Sequence, residues 1–240
     1  MAQPAPRPLV LAHRGANRQA PENTLEAFAR AMALGADGVE LDVHRSADDG
    51  LVVHHDAAAE GIGVLAEHQL AAIRDARPDI PTLDEVLDTC EGSLVNVEMK
   101  NLPGDDDFDP DESAADLVVA LVERRDGRDR VLVSSFNLAT IDRVHALDAR
   151  LPTAFLTFRG FEPLAALELA HERGHTALHP FFGSLAGDAA ESTVERAHEL
   201  GLAVNVWTVN EEAELRRLAD AGVDALVTDV PDVALQLLGR

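Results

Sequence analysis

Gly35-Ala-Asp-Gly-Val-Glu-Leu-Asp-Val43, continued by His44, reads as a helix end, a tight turn and a strand carrying acids toward its far end. The same pattern returns without gaps at Gly222-Val-Asp-Ala-Leu-Val-Thr-Asp-Val230, a faint internal echo. Working outward, β-rich runs recur at Leu9–His13, Gly38–His44, Leu94–Lys100, Val131–Ser135, Thr153–Thr157, Thr176–His179, Ala203–Thr208 and Ala225–Thr228. Each pair leaves room for a helix between them. Strands alternating with helices build a parallel sheet, and eight of them predict closure into a (β/α)8 TIM-type barrel. The chain has 240 residues, and such barrels commonly need about 250. An open, doubly wound sheet is the structural alternative.

Helix signals fit the same frame. Asn23-Thr-Leu-Glu26 and Thr82-Leu-Asp-Glu85 both resemble N-caps with an acidic residue three positions on. Leu25, Phe28, Ala29 and Met32 are expected to share one helical face. A hairpin and a small helical insertion over residues 51–81 follow the second strand, introduced by the turn formers Ser46–Gly50. Gly104–Ser113 reads as an acidic solvated loop capping the next helix, with a lid over the site as the alternative. The whole of 1–240 is expected to form one barrel domain, with residues 1–8 as a flexible tail.

A formal charge of −23 argues against nucleic-acid or anionic-membrane binding, which needs basic stripes. An anionic substrate must then be caught by local cations. No apolar run reaches the roughly 18 residues of a membrane span, so no stable membrane insertion is expected. Met1–Pro8 lacks an apolar signal region, which makes the cytoplasm the default compartment. Cys90, the single cysteine, has no partner for a disulfide and no base motif beside it.

The polar residues fall where a barrel keeps its active site, at the C-terminal ends of the strands. His13-Arg14 end the first. Glu40, Asp42 and His44 share one face of the second, Glu98 and Lys100 one face of the third, and the hairpin delivers His54-His55-Asp56. Three carboxylates in one mouth repel one another unless something neutralises them, and a hard divalent cation (Mg, Ca or Mn) does so. Glu40, Asp42 and Glu98 are therefore candidate metal ligands; pairing with arginine or lysine in a purely structural network is the alternative. His13 and His55 are candidates for general acid and base, because imidazole changes protonation near neutral pH. Arg14 and Lys100 can neutralise phosphate oxygens. Lys100 is the only lysine among 20 Lys plus Arg, and its compact ammonium can approach a phosphate or carboxylate as a point charge. Gly61-Ile-Gly63 lies too far past Val53 to be a dinucleotide turn, and Ser134-Ser135 has no base motif.

Taken together, His13-Arg-Gly-Ala16, Pro21-Glu-Asn-Thr24, Gly35–Val43, Val52-Val-His-His-Asp56, Asn96-Val-Glu-Met-Lys100, Ser134-Ser-Phe136, Val206-Trp-Thr-Val-Asn210 and Thr228-Asp229 resemble the glycerophosphodiester phosphodiesterase family. The motifs run in family order along nearly the whole chain. The resemblance implies metal-dependent hydrolysis of small glycerophosphodiesters to an alcohol and sn-glycerol 3-phosphate. It implies acid–base roles for His13 and His55, a metal among Glu40, Asp42 and Glu98, phosphate contacts from Arg14 and Lys100, and a pocket lined by Phe136 and Trp207. His13 is expected to start as the base and His55 as the acid. The family's Leu and Arg-Thr-Thr-like stretch after His-Asp is replaced here by Asp56-Ala-Ala-Ala-Glu-Gly61, which thins the polar wall beside the leaving group. A phosphate-binding protein without turnover, or a lysophospholipase D-type activity on the same barrel, are the competing functions. Oligomeric state is not encoded in any motif.

Overall fold

The computed structural model describes residues 7–240. Its elements in chain order are β1 (Leu9–His13), α1 (Leu25–Leu34), β2 (Gly38–Arg45), β3 (Leu51–Val53), β4 (Ala58–Ala59), β5 (Gly63–Val64), α2 (Leu70–Ala76), α3 (Leu83–Thr89), β6 (Leu94–Met99) and α4 (Ser113–Arg124). The second half runs β7 (Val131–Ser135), α5 (Leu138–Leu147), β8 (Thr153–Thr157), α6 (Pro163–Glu172), β9 (Ala177–Pro180), α7 (Ala189–Leu200), β10 (Ala203–Val206), α8 (Glu212–Asp220), β11 (Ala225–Thr228) and α9 (Pro231–Leu237).

Eight of these strands pair in parallel in the order β1-β11-β10-β9-β8-β7-β6-β2, and β2 pairs back onto β1. The sheet is a closed barrel, not an open one. β3 adds to β2 as an antiparallel hairpin, with Val43 opposite Val53. Residues 51–81 therefore hold β3, the short β4–β5 ladder and α2, and Gly61 and Gly63 belong to that ladder and its turn. The expected tail lies outside the described residues as far as residue 6. Pro8 is already buried.

Alternation along each strand explains the core. Val39, Leu41, Val43, Val95 and Val97 face the helices in one apolar cluster, and Val204, Val206 and Leu226 do so on the other side. The intervening residues fill the barrel with small apolar groups at one end, such as Leu132, Ala154 and Ala177. Toward the other end the filling turns polar, with buried Asn96, Ser134, His179 and Asn205. A parallel barrel strand is thus buried on both sides, while its inward residues carry the chemistry.

Thr24 caps α1 by accepting from the Ala27 amide, and Thr82 and Glu85 form a capping box on α3. The buried face of α1 is Ala27, Phe28 and Ala31. Ala29 is exposed, because the barrel meets the helix about one residue round from the face that the apolar spacing marks. α3 ends at Thr89, with Cys90 buried at its C-cap.

Gly38 opens β2 at its closest approach to β6, where an added Cβ would stand 2.1 Å from the Leu94 carbonyl oxygen. Gly38→Ala should cost about 1–3 kcal/mol through overpacking, a fall of roughly 2–4 °C in melting midpoint per kcal/mol. Thermal unfolding followed by circular dichroism would measure it; an unchanged midpoint would show that β2 and β6 can part freely there.

Candidate active site

Strand register assembles the site. His13 on β1 lies beside Glu40 on β2, and Asp42 on β2 lies beside Glu98 on β6. After His13 the chain turns sharply through Arg14 and Gly15, at φ 55° and 79°. Gly15 is needed there twice over: a Cβ would sit 2.6 Å from the Ala27 carbonyl carbon, and the left-handed backbone disfavours other residues.

Glu40, Asp42 and Glu98 are buried, and each can offer an oxygen within 4.8 Å of the others. Lys100 Nζ spans two of them, 2.9 Å from Asp42 Oδ1 and 2.5 Å from Glu98 Oε1. Arg14 Nε is 3.1 Å from Asp42 Oδ2, which also accepts from Asn23 at 2.8 Å. Glu40 receives only the Arg14 amide at 3.2 Å, with His13 Nε2 3.9 Å away. Burial, and then the charge of Asp42, push the Glu40 carboxyl well above its ordinary range. Burial also opposes the Asp42 charge, but Lys100 and Arg14 outweigh it and hold that carboxyl low. Asp42 Oδ1 and Glu98 Oε1 are sealed from solvent without a well-aligned hydrogen bond. Hard oxygen donors and a buried Glu40 that neither the Lys100 ammonium nor the Arg14 guanidinium pairs with fit a divalent cation. The purely structural network holds in part, since Lys100 and Arg14 bind these acids, but it leaves Glu40 unmatched.

His13 is oriented from its other nitrogen. Nδ1 lies 2.6 Å from Asp229 Oδ1, and Asp229 also accepts from Asn17 at 2.6 Å and Asn210 at 2.7 Å. Burial works against a charged His13 ring, yet Asp229 and Glu40 together raise its pKa above 6.5. His55 Nδ1 lies 2.7 Å from Asp56 Oδ1. Its pKa is lowered by burial and then by Lys100. His44, aligned with Glu40 and Asp42 by periodicity, binds Asp107 at 2.6 Å and the His55 carbonyl at 3.2 Å. It braces the hairpin.

One cavity of about 550 Å³ is lined by His13, Arg14, His55, Glu98 and Lys100, and by the aromatic side chains Phe136, Phe158 and Trp207. Phe136 stacks on Phe158 with centroids 4.0 Å apart and meets Trp207 edge-on at 5.3 Å. Leu102, Gly104, Asp105 and Asp106 complete the wall. The acidic loop thus has two jobs: Asp109 caps the start of α4 by accepting from Ser113, and residues 102–106 border the cavity.

Sequence reasoning missed Asp229, Asp107 and Phe158. Asp229 was visible as an acid ending a strand, but its partner is 216 residues away. Cys90 is outside this cavity, its thiol pushed up to about 12 by burial. His175 bonds Thr153 and His198 bonds Asp224. Ser135 donates to the Met99 carbonyl.

The model of the glycerophosphoryl diester phosphodiesterase family matches residues 13–233. The chain belongs to that family. A glycerophosphodiester phosphodiesterase of Caldanaerobacter subterraneus is 31% identical over 97% of this chain and 98% of its own length. The crystal structure of the Thermotoga maritima glycerophosphodiester phosphodiesterase superposes with a TM-score of 0.82 at 26% identity, covering 98% of this chain and 99% of that one. An Oleispira antarctica phosphodiesterase, solved in complex with the product sn-glycerol-3-phosphate, gives 0.84 at 26% identity, with 98% of each chain covered. The chain is an enzyme of this family, a phosphoric diester hydrolase acting on glycerophosphodiesters. Among the described residues no helix is long and apolar enough to cross a membrane.

The His13–Asp229 pair sets a pH window. His13 with a raised pKa contributes stability below its ordinary value of about 6.5, lost as pH rises through the raised one. For Asp229 burial opposes the charge, but His13 and Asn17 hold it well below its ordinary range. Its contribution is present above about pH 4 and lost as pH falls through the lowered value. In metal-free protein, Asp229→Asn should therefore cost most between about pH 4 and 6.5 and progressively less as pH rises through the raised His13 value. Urea unfolding across that range checks it; a gap that stays level from pH 5 to 9 would remove the pair from the titration.

Proposed function

We propose that the site hydrolyses glycerophosphodiesters with His13 as general acid and His55 as general base, around a divalent cation held by Glu40, Asp42 and Glu98. The observation that carries this reading is a cluster of three buried carboxylates, one of which, Glu98, lines the same cavity as two carboxylate-oriented imidazoles. The bound cation would supply positive charge to the non-bridging phosphate oxygens. Mg, Ca and Mn all suit the oxygen donors.

The acid–base order is the reverse of the one expected from sequence. A carboxylate only accepts, so Asp229 and Asp56 each place a proton on Nδ1 and leave Nε2 for chemistry. His55, with its lowered pKa, is neutral near pH 7 and can take the proton of the attacking hydroxyl. His13 is favoured as the cationic form by Asp229. That support acts from the opposite side of the ring to Glu40, so it persists when the Glu40 charge is engaged elsewhere. As the new P–O bond forms and the alcohol departs, His13 Nε2 delivers its proton to the leaving oxygen. Arg14 and Lys100 line the same cavity as cations anchored by carboxylates, placed to meet phosphate without a wider basic surface.

Release of sn-glycerol 3-phosphate from glycerophosphocholine should stop with EDTA and return with excess Mg, Ca or Mn. His13→Ala and His55→Ala should each lower turnover by about 10²-fold or more while calorimetric metal binding persists. Wild-type rates in both variants would remove the imidazoles from the mechanism. Glu98→Gln should weaken the metal affinity measured by titration calorimetry; an unaltered affinity would retire Glu98 as a ligand.

A further inference from the structure

The cavity wall combines three chemistries: the cations and imidazoles of Arg14, Lys100, His13 and His55; the mutually packed rings of Phe136, Phe158 and Trp207; and the carboxylates of Asp105 and Asp106. Asp105 accepts from the Leu102 amide at 3.1 Å, whereas Asp106 has no ion-pair partner among the described residues. Two carboxylates bordering a phosphodiester site weaken binding of any substrate whose only charge is the phosphate. They cease to be a cost when the substrate also carries a positive charge. Stacked phenylalanines beside an indole attract a cation through the negative faces of the rings, and most strongly a quaternary ammonium, which sheds water readily. Phe158 is 44% exposed, although it stacks on Phe136. Packing alone gives no reason to hold it at the cavity wall.

Resting on the phosphodiesterase reading above, we propose that Phe136, Phe158, Trp207 and Asp106 form a leaving-group subsite for a quaternary ammonium alcohol, so that zwitterionic glycerophosphodiesters of the choline type are preferred. Ala57 stands in the short Ala-rich stretch after Asp56 and lines the same cavity. Its methyl group offers no hydrogen bond to the hydroxyls of a sugar or a second glycerol. An acyl chain would gain from the rings, but it would share the cavity with Asp105 and Asp106 and strip water from them.

The test compares glycerophosphocholine with the 3,3-dimethylbutyl ester of glycerol 3-phosphate, which has the same shape with carbon in place of nitrogen. With metal present, kcat/KM for the choline ester should exceed that for the carbon isostere by about tenfold. Phe158→Leu keeps the apolar bulk without the ring, and Asp106→Asn removes the charge. Each should bring the ratio down toward one, mainly through a higher KM for the choline ester. Equal kcat/KM values in the parent enzyme, or a ratio unmoved by both variants, overturn the subsite while leaving the hydrolase intact. If neither ester is cleaved, the hydrolase reading fails and takes the subsite with it.

Discussion

Three carboxylates from two neighbouring strands, all buried within 4.8 Å of one another, are the constraint around which this molecule is organised. Two unit charges about 4 Å apart repel by roughly 4 kcal/mol at an effective dielectric near 20, and burial adds a desolvation penalty for each. A fold can carry such a cluster only by supplying opposite charge at short range. Lys100 and Arg14 do so for Asp42 and Glu98. Glu40 is left as the acid that must be protonated, or matched by an ion from outside. Much of the local structure serves this balance, including the sharp Arg14-Gly15 turn and the placement of Asn23 against Asp42.

Barrel closure is part of the chemistry for the same reason. Pairing β1 with both β2 and β11 puts His13 between Glu40 on one side and Asp229 on the other. An open sheet of the same strands would leave His13 with one of those acids. The neighbouring histidines repeat the arrangement, His55 with Asp56 and His44 with Asp107. The rings of His13 and His55 are each fixed through Nδ1 by a carboxylate, which sets tautomer and direction. The hairpin carrying His55 is in turn held by His44 through the His55 carbonyl.

Periodicity made the frame legible. Glu40 and Asp42, and likewise Glu98 and Lys100, stand two residues apart on strands, so their shared face follows from the pleat alone. The adjacency of Asp42 to Glu98 needs the register of β2 against β6 as well, and strand order supplied it only approximately. What could not be read were partners chosen by closure and by loops: Asp229 for His13, Asp107 for His44, Phe158 for Phe136. None has a local signature, because each contact joins segments distant in sequence. The acid–base order proposed above differs from the sequence expectation because it leans on Asp229 and on the charge of Lys100 acting on His55. On α1, Ala29 shares the apolar spacing of Leu25, Phe28 and Met32 yet is exposed, because periodicity fixes a face but not how far round it the barrel covers.

The charge of −23 and an anionic substrate are reconciled by distance. At physiological ionic strength exposed charges are screened beyond about 8 Å, and many surface carboxylates are already spent on arginines, as Asp116 is on Arg143 and Asp37 on Arg240. On the function proposed above, a phosphate would meet inside the cavity the partly buried cations of Arg14 and Lys100, which salt screens less than it does exposed charges. Lys100 shows why residue type matters there. Its ammonium lies within 3 Å of oxygens on two different acids, a geometry open to a compact charge with three donors. The planar fork of arginine matches one carboxylate edge-on. In a chain that uses arginine at every other lysine-or-arginine position, lysine stands where one charge is shared between two carboxylates, Asp42 and Glu98.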